Sequence, residues 1–205
     1  MWLLSPKDSN IISGSTTRTG STCALNLIDE DTQGQLLLVN SLGEVFWEWK
    51  ESNLLLLTKA LEEGVIVVAE NRAFRMDYDG RILWEYPFEG SVCRADINAS
   101  GYMAVALKDS GGNVYSNSQS RLLALTPDGQ LQWSYRLDRE PTYIKVDKEY
   151  VFILDDSQIS ILTQHGLLTS RVMGRGYESI SLVDEEEVIV RQGDHSKLIS
   201  ISGGR

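Results

Sequence analysis

The sequence predicts an all-β fold built from five similar units. Three observations predict it. A turn glycine recurs at regular spacing, a tryptophan follows three of these glycines by four residues, and short β-branched and aromatic runs lie between them. A period of about 20–50 residues is the signature of a repeat architecture. The turn glycines, spaced by 37, 49, 37 and 37 residues, are Gly43, Gly80, Gly129, Gly166 and Gly203.

The repeated figure Gly-x-x-x-Trp occurs three times, as GEVFWEW, GRILWEY and GQLQWSY. The copy that starts at Gly166 has Ser170 in the tryptophan position. In a strand, the second, fourth and sixth residues after the glycine lie on one face. They form a largely apolar stripe in each copy, so we expect the tryptophans to pack against the neighbouring unit rather than to bind a ligand.

The sequence pattern of each repeat predicts four short strands. One copy runs SVCRADI, YMAVAL, RLLALT and LQWSYRL, with boundaries rich in Gly, Asp, Asn and Ser. The Asp-Gly and His-Gly pairs predict two-residue hairpin turns, and His165 is expected to adopt a positive φ there. The stretch 49–64, WKESNLLLLTKALEEG, is rich in helix formers. Repeat register favours a strand, a turn at LEEG and a second strand, with a helix as the alternative.

Five four-stranded units of about 40 residues are typical of a β-propeller. The fifth copy ends at Arg205, two residues after Gly203, and Trp2 would supply its missing tryptophan in register. We therefore predict a single domain over residues 1–205. It is a five-bladed β-propeller of four-stranded blades, closed by the N-terminal strand completing the last blade.

Composition narrows the classes of partner. The 205 residues carry a net charge of −10, which argues against nucleic acid and anionic membranes. No apolar run approaches the roughly 20 residues of a spanning helix. Cys23 and Cys93 lie in apolar strands, which favours buried free thiols over a disulfide. The segment after Met1 lacks the features of a signal peptide, so we expect a cytoplasmic monomer, with export by an upstream signal left open.

The runs LLALTPDGQLQWSY, DGRILWEY and SLGEVFWEW resemble the tryptophan-docking repeat of PQQ-like propellers, which are related in architecture to WD40 repeats. The resemblance covers nearly the whole chain and implies a rigid scaffold that presents loops to a partner. The quinone-dependent dehydrogenases of that family are longer and use about eight blades. This chain has five units and no adjacent cysteine pair, so we carry over no catalytic residue and no cofactor.

The sequence offers little catalytic chemistry. His165 lies in a turn, and His195 lies between two strands of the last repeat. No His, Cys or Asp cluster has the spacing of metal ligands, and no phosphate-binding loop occurs. We assign no catalytic residue and no metal site.

Up-and-down connectivity places the loops between second and third strands, and the linkers between blades, on the same side of each blade. This side is polar and holds the long insertion at 108–120, so we expect ligand or partner contacts there. Tyr and Arg dominate the energetics of protein interfaces. The candidate binding residues are Tyr115, Arg139, Arg175, Tyr177 and Asp194.

These observations predict a non-catalytic propeller that serves as a binding or scaffolding module for a protein or peptide. Two alternatives stay open. One is a carbohydrate-binding propeller, although the repeated aromatics are expected to face between blades. The other is a glycoside-acting hydrolase with paired carboxylates near the channel, for which Asp29, Asp155 and Asp194 could supply the pair.

Overall fold

A computed structural model describes residues 9–108, 120–183 and 187–200. All of the regular structure in this part is β, as predicted, and no membrane-spanning helix is present among these residues. The strands form five antiparallel sheets, each in chain order: sheet 1 (β1–β4), sheet 2 (β5–β8), sheet 3 (β9–β12), sheet 4 (β13–β16) and sheet 5 (β17–β19). Their bounds are β1 Ser9–Thr16, β2 Thr22–Asp29, β3 Gly34–Asn40, β4 Val45–Glu51, β5 Leu55–Leu61, β6 Gly64–Ala69, β7 Arg72–Met76, β8 Ile82–Pro87, β9 Ser91–Ile97, β10 Met103–Lys108, β11 Ser120–Leu125, β12 Leu131–Leu137, β13 Tyr143–Val146, β14 Tyr150–Leu154, β15 Gln158–Thr163, β16 Leu168–Met173, β17 Ser179–Leu182, β18 Glu187–Gln192 and β19 His195–Ser200.

The chain divides into two compact units. The first contains residues 1–92 together with the turns 99–101 and 126–130, and it holds sheets 1 and 2. The second contains residues 93–98, 102–125 and 131–205, and it holds sheets 4 and 5 and nearly all of sheet 3.

The core of the first unit lies between sheets 1 and 2. Alternation in β3 turns Leu36 and Leu38 toward Val65 and Val67 of β6, and all four are fully buried. The stretch 49–64, which is rich in helix-forming residues, forms the end of β4 and all of β5, and this confirms the strand prediction. Tertiary pairing with the apolar strand β6 overrides helix propensity there, because helix propensity is only a weak preference.

Sheet 4 forms the centre of the second unit and is buried on both faces. Val151 and Ile153 pack in a cluster with sheet 3, whereas Phe152 and Leu154 pack in a cluster with sheet 5. A strand with two buried faces requires a continuous apolar run instead of alternation. This explains why β14 reads YVFIL.

The predicted two-residue hairpin turns are wrong. Each described β3–β4-type turn is a three-residue loop, in which the glycine N–H donates to the carbonyl three residues earlier. The glycine takes the positive φ, between 77° and 85°, as in a type I turn with a following bulge. His165 therefore does not adopt the expected positive φ, because Gly166 supplies it. The four turns are 40–43, 77–80, 126–129 and 163–166.

Each tryptophan of the repeated figure docks onto the turn of the next repeat. Its indole N–H donates to the carbonyl two residues before the next turn glycine, so the prediction of a packing role is confirmed. The stripe is not buried throughout, since its first residue is 39–50 % exposed in all four copies. The docks are Trp47 Nε1 to Tyr78 O at 2.9 Å, Trp84 Nε1 to Pro127 O at 2.9 Å and Trp133 Nε1 to Gln164 O at 2.7 Å.

The turn glycines also make room for the docked rings. A Cβ added at Gly129 would lie 2.6 Å from Trp84 Cε3, and one at Gly166 would lie 2.8 Å from Trp133 Cδ2. Both distances are shorter than a carbon–carbon contact allows. Gly80, Gly129 and Gly166 each lie against the tryptophan of the preceding repeat, which accounts for the recurrence of glycine and tryptophan together.

In the second unit, side chains of β9 satisfy the backbone at the edge of β13. Asp96 Oδ2 accepts from Val146 N at 2.7 Å, and Arg94 Nε donates to Thr142 O at 2.9 Å. Backbone groups at a strand edge need such partners when they are shielded from water. The charged side chains of β9 therefore join sheet 3 to sheet 4 at the first strand of each sheet.

Two predictions about the ends of the chain stay untested. Sheet 5 has three strands in the described part, and both Trp2 and Gly203 lie outside the described residues. Closure by the N-terminal strand is therefore still a prediction.

The two cysteines are free and half-buried, and burial raises the pKa of both thiols.

Candidate interaction surface

Antiparallel, chain-ordered strands bring the second-to-third-strand loops and the outgoing linkers to one edge of each sheet. We call this the loop edge. Bonds such as that from Gly174 N to Ser157 O, at 2.9 Å, hold neighbouring loops together. In the second unit, the described loop edge consists of residues 138–142, 155–157, 174–178 and 193–194.

Arg139 lies in the linker between β12 and β13, and its side chain is exposed. Its two neighbours are committed to ion pairs. Asp138 Oδ2 lies 3.8 Å from Arg171 Nη2, and Glu140 Oε2 lies 3.3 Å from Lys108 Nζ. Arg139 takes part in none of the ion pairs found among the described residues.

The structure brings the segments of Arg175 and Asp194 together. Gln192 Nε2 donates to the carbonyl of Arg175 at 2.6 Å, which ties the 174–178 linker to the β18–β19 turn. Arg191 Nε donates to the carbonyl of Gly193 at 3.1 Å and holds that turn from the other side. Both Arg175 and Asp194 are exposed. Neither is part of an ion pair within the described ranges.

Tyr177 does not present its ring to a partner. The residue is only 8 % exposed and belongs to the apolar cluster between sheets 4 and 5. A Cβ added at Gly174 would lie 2.5 Å from Tyr177 Cζ, so the linker closes tightly over the ring. The expected contact role is therefore corrected to a supporting one, because burying the aromatic ring stabilises the linker more than exposing it would.

Met173 at the end of β16 is a surface residue that sequence analysis missed. It is 71 % exposed, directly before the linker that carries Arg175. The signal lies in the repeat alignment. The seventh residue after the turn glycine is Lys50, Pro87 or Arg136 in the other copies. A methionine at this exposed position departs from that pattern and adds a flexible apolar group to the loop edge.

Two of the three carboxylates that were candidates for a hydrolase pair, Asp155 and Asp29, have other partners. Asp155 is 8 % exposed, and its Oδ1 accepts from Ser157 N at 2.7 Å and Ser157 Oγ at 2.8 Å. Its Oδ2 accepts from Gln158 Nε2 at 3.2 Å. Asp29 Oδ1 accepts from Gln33 N at 2.8 Å in the same way. Both carboxylates shape the loop that follows their own strand.

The loop edge of the first unit is organised around Arg72. Its guanidinium forms ion pairs with Glu51 and with Glu85, the latter at 2.9 Å, and lies 5.1 Å from the centre of the Phe74 ring. Burial pushes the pKa of Glu51 upward. The hydrogen bond and charge of Arg72 and the bonds from Asn53 outweigh it, so the net pKa lies below its usual range. This cluster is a structural ion pair and not a free binding group.

Two further expectations concern chemistry and the long insertion. Among the described residues, no group of three or more His, Cys, Asp or Glu side chains could hold a metal ion. His195 begins β19 and His165 lies in a hairpin turn, and both are exposed. Tyr115 and residues 109–119 lie outside the described residues, so the predicted role of this loop stays a prediction.

Comparisons with solved structures concern the fold. The chain is similar to BamB from Moraxella catarrhalis, with 16 % identity, a TM-score of 0.63, and coverage of 91 % of this chain and 57 % of that one. It is also similar to the Pan2 WD40 domain of Neurospora crassa, with 9 % identity, a TM-score of 0.66, and coverage of 97 % and 65 %.

The chain has a β-propeller fold of the PQQ-like and WD40-like kind. A third propeller, BBS1N in complex with ARL6DN, matches with 12 % identity, a TM-score of 0.68, and coverage of 96 % and 66 %. This chain thus spans about 57–66 % of the length of these three propellers. No protein-family model matches the sequence, and neither does any curated protein.

Proposed function

We propose that this propeller is a non-catalytic module that binds a protein or peptide partner through the loop edge of its second unit. The observation that carries the proposal is which basic side chains at that edge form ion pairs and which do not. Lys108 and Arg171 are committed to ion pairs, whereas Arg139 and Arg175 are exposed and lie outside the ion pairs of the described residues. A planar guanidinium with five donors is well suited to a protein interface.

The surroundings of these arginines favour a protein over a small ligand. Met173 supplies exposed apolar area beside Arg175, and Asp194 supplies an acidic group on the adjoining turn. An apolar centre with mixed charges around it is the usual anatomy of a protein interface. Similar propellers support the same class of function. The matched BBS1N structure is a complex with ARL6DN, and another matched structure contains Dbp5 bound to Nup159.

The carbohydrate alternative needs aromatic faces that a sugar could stack on. The repeated tryptophans use their indole N–H groups to dock onto neighbouring turns. The hydrolase alternative needs a pair of free carboxylates, and Asp155 already accepts three hydrogen bonds from its own turn through one oxygen. Neither alternative gains support from a specific contact.

The test is affinity capture from a lysate of the source cells, followed by titration of the captured protein. We expect the double variant Arg139→Ala, Arg175→Ala to bind its partner at least about tenfold more weakly, since a change of about 1.4 kcal/mol is tenfold in affinity. Arg81→Ala is the matched control. Arg81 is exposed in a hairpin turn of the first unit and forms no ion pair in the described part.

Two results would contradict the proposal. One is equal binding of the partner by the wild type and the double variant. The other is binding of the wild type to a glycan array with no protein captured. A variant that lacks residues 109–119 extends the test to Tyr115. If the long insertion belongs to the same surface, its removal weakens binding of the same partner.

We also propose that the ring has five blades and is closed by the N-terminal strand, which fills the fourth position of the last blade. Support comes from the repeat register, because counting on from Gly203 through Arg205 and Met1 places Trp2 four residues after that glycine. We expect Trp2→Ala to lower the melting temperature by about 4–10 °C, equivalent to roughly 2–3 kcal/mol. An unchanged melting temperature would argue against closure by this strand.

A further inference from the structure

Three shielded oxygen atoms of the first unit have no hydrogen-bond partner within the described residues. They are Ser13 Oγ on β1, Asn26 Oδ1 on β2 and Thr58 Oγ1 on β5. Asn26 is 0 % exposed and Thr58 is 4 % exposed. An unpaired buried polar group is costly, so such groups almost always have a partner, which can be an ordered water.

Ser13 and Asn26 are neighbours by strand pairing. The register of β1 and β2 places them directly opposite each other, immediately after a bulge in β1. Opposite residues of an antiparallel pair project from the same face of the sheet. Asn26 Nδ2 donates to the carbonyl of Leu55 at 2.6 Å, which fixes the amide plane and turns Oδ1 away from that bond.

Thr58 lies at the same level as Ser13. Ala60 N donates to Ser15 Oγ at 2.8 Å, so these two residues mark one level of β1 and β5. Farther along, Thr19 N donates to Glu62 Oε1 at 3.4 Å, which shows that the two strands run in the same direction. Ser13 lies two residues before Ser15, and Thr58 lies two residues before Ala60, so Ser13 and Thr58 also lie at one level.

The corresponding level of the second unit has different side chains. Asp96 accepts from Val146 N as Ser15 accepts from Ala60 N, so Arg94 corresponds to Ser13 and Ile144 to Thr58. Arg94 reaches the carbonyl of Thr142 directly at 2.9 Å, and Ile144 is buried. In the second unit, the long side chain of Arg94 reaches across this position. In the first unit, three short side chains each present an oxygen atom there.

We propose that Ser13, Asn26 and Thr58 together bind one water molecule between β1, β2 and β5. The two hydroxyls donate to the water oxygen, and the water donates one of its hydrogens to Asn26 Oδ1. Three hydrogen bonds are the usual number for a buried water in a protein. All three groups are neutral, and a set of two hydroxyls and an amide suits water better than it suits a divalent cation, which prefers carboxylates.

A high-resolution crystal structure of the full chain tests the site directly. We expect one density peak within about 2.7–3.2 Å of all three oxygens, with the occupancy of water. The proposal is overturned if no peak is present, if the oxygens bond to protein groups instead, or if the distances and anomalous signal identify a cation.

A shape-matched variant tests whether the hydroxyl is bonded in solution. If the water is present, Thr58→Val breaks a made hydrogen bond, removes the density peak and lowers the melting temperature by about 2–4 °C. If Thr58 is simply unpaired, the substitution leaves the melting temperature unchanged or raises it, which overturns the proposal. Thr16→Val is the control, because Thr16 is exposed on β1 and its loss should leave stability unchanged.

Discussion

Within each unit, the first strand of one sheet contacts the first strand of the next sheet, and the side chains that make this contact differ between the units. In the first unit, β1 presents short hydroxyl side chains to β5, and Ser15 Oγ accepts from Ala60 N at 2.8 Å. In the second, β9 presents charged side chains to β13, and Asp96 Oδ2 accepts from Val146 N at 2.7 Å. The two acceptors occupy the same level of equivalent strands, and each satisfies the same backbone group.

The difference shows that the fold requires a hydrogen-bond partner at this position but does not require a particular residue type. The first strand of every sheet leaves one row of backbone groups without a strand partner, and these groups must still be satisfied. Long side chains such as Arg94 satisfy them directly. Short side chains such as Ser15 satisfy one group and leave neighbouring polar atoms for another molecule. What both units share is the tryptophan dock.

The largest expected effect comes from breaking that shared dock. Gly129→Ala in the first unit and Gly166→Ala in the second should each lower the free energy of unfolding by about 2–5 kcal/mol, through left-handed backbone strain plus a clash with the docked tryptophan. Gly80→Ala should lose less, about 1–2 kcal/mol, because its added Cβ would lie 3.9 Å from Trp47. Urea denaturation measures all three.

Gly20→Ala is the control for backbone strain alone. Gly20 has a φ of 70°, and a Cβ there would meet nothing within 4 Å. If Gly129→Ala is no more destabilising than Gly20→Ala, the ring does not rest on the turn glycine. The dock would then contribute only its hydrogen bond.

A smaller effect is expected at the loop edge of the first unit, where Glu51 pairs with Arg72. Glu51→Gln should lower the free energy of unfolding at neutral pH by about 1.5–3 kcal/mol. The folded-state pKa of Glu51 lies below its ordinary value of 4.5. Its carboxylate therefore stabilises fully above that value, and the contribution is lost as the pH falls through the lower folded pKa.

The wild type and Glu51→Gln should therefore differ most at neutral pH and converge in acid. Denaturation at a series of pH values from 7 to about 3 measures the difference. Glu85→Gln is the matched control, because Glu85 pairs with the same arginine but is 42 % exposed. A difference that does not shrink in acid would show that packing, and not charge, is what the substitution removes.

The smallest expected effects concern the two acceptors that differ between the units, Ser15 and Asp96. Asp96→Ala should lower the free energy of unfolding by about 1–2 kcal/mol, since it removes a charged acceptor from Val146 N and the ion pair with Lys145 at 3.2 Å. Ser15→Ala should lower it by about 0.5–1.5 kcal/mol, since it removes a neutral acceptor. Equal losses would mean that charge adds nothing at this level, and the contrast between the units would disappear.

Much of the fold could be predicted from local pattern. The spacing of the glycines predicted the repeat, alternation predicted the faces of the strands, and repeat register correctly favoured a strand over a helix within the stretch 49–64. The packing role of Trp47, Trp84 and Trp133 followed from the same register. These features depend on neighbours along the chain or on strict periodicity, which a single sequence contains.

Features that depend on precise geometry could not be predicted. The partner of each indole N–H lies 31 or 43 residues away, and the Asp-Gly pairs suggested a shorter turn than the one formed. Tyr177 was expected to contact a partner because it lies in a linker on the polar side and because Tyr dominates interface energetics with Arg, but the linker folds its ring inward. Met173 is different, because comparison of the repeats could have identified it: Lys50, Pro87 and Arg136 stand at the same position in the other copies.

The tryptophan dock has a consequence for how such a chain changes over evolutionary time. Each repeat contains the turn that receives one ring and the ring that enters the following turn, so a copied repeat arrives with matching halves for both of its new neighbours. Gene duplication can then add a whole repeat without inventing a junction. The copy with Ser170 in the tryptophan position instead packs against the next sheet through the apolar cluster between sheets 4 and 5.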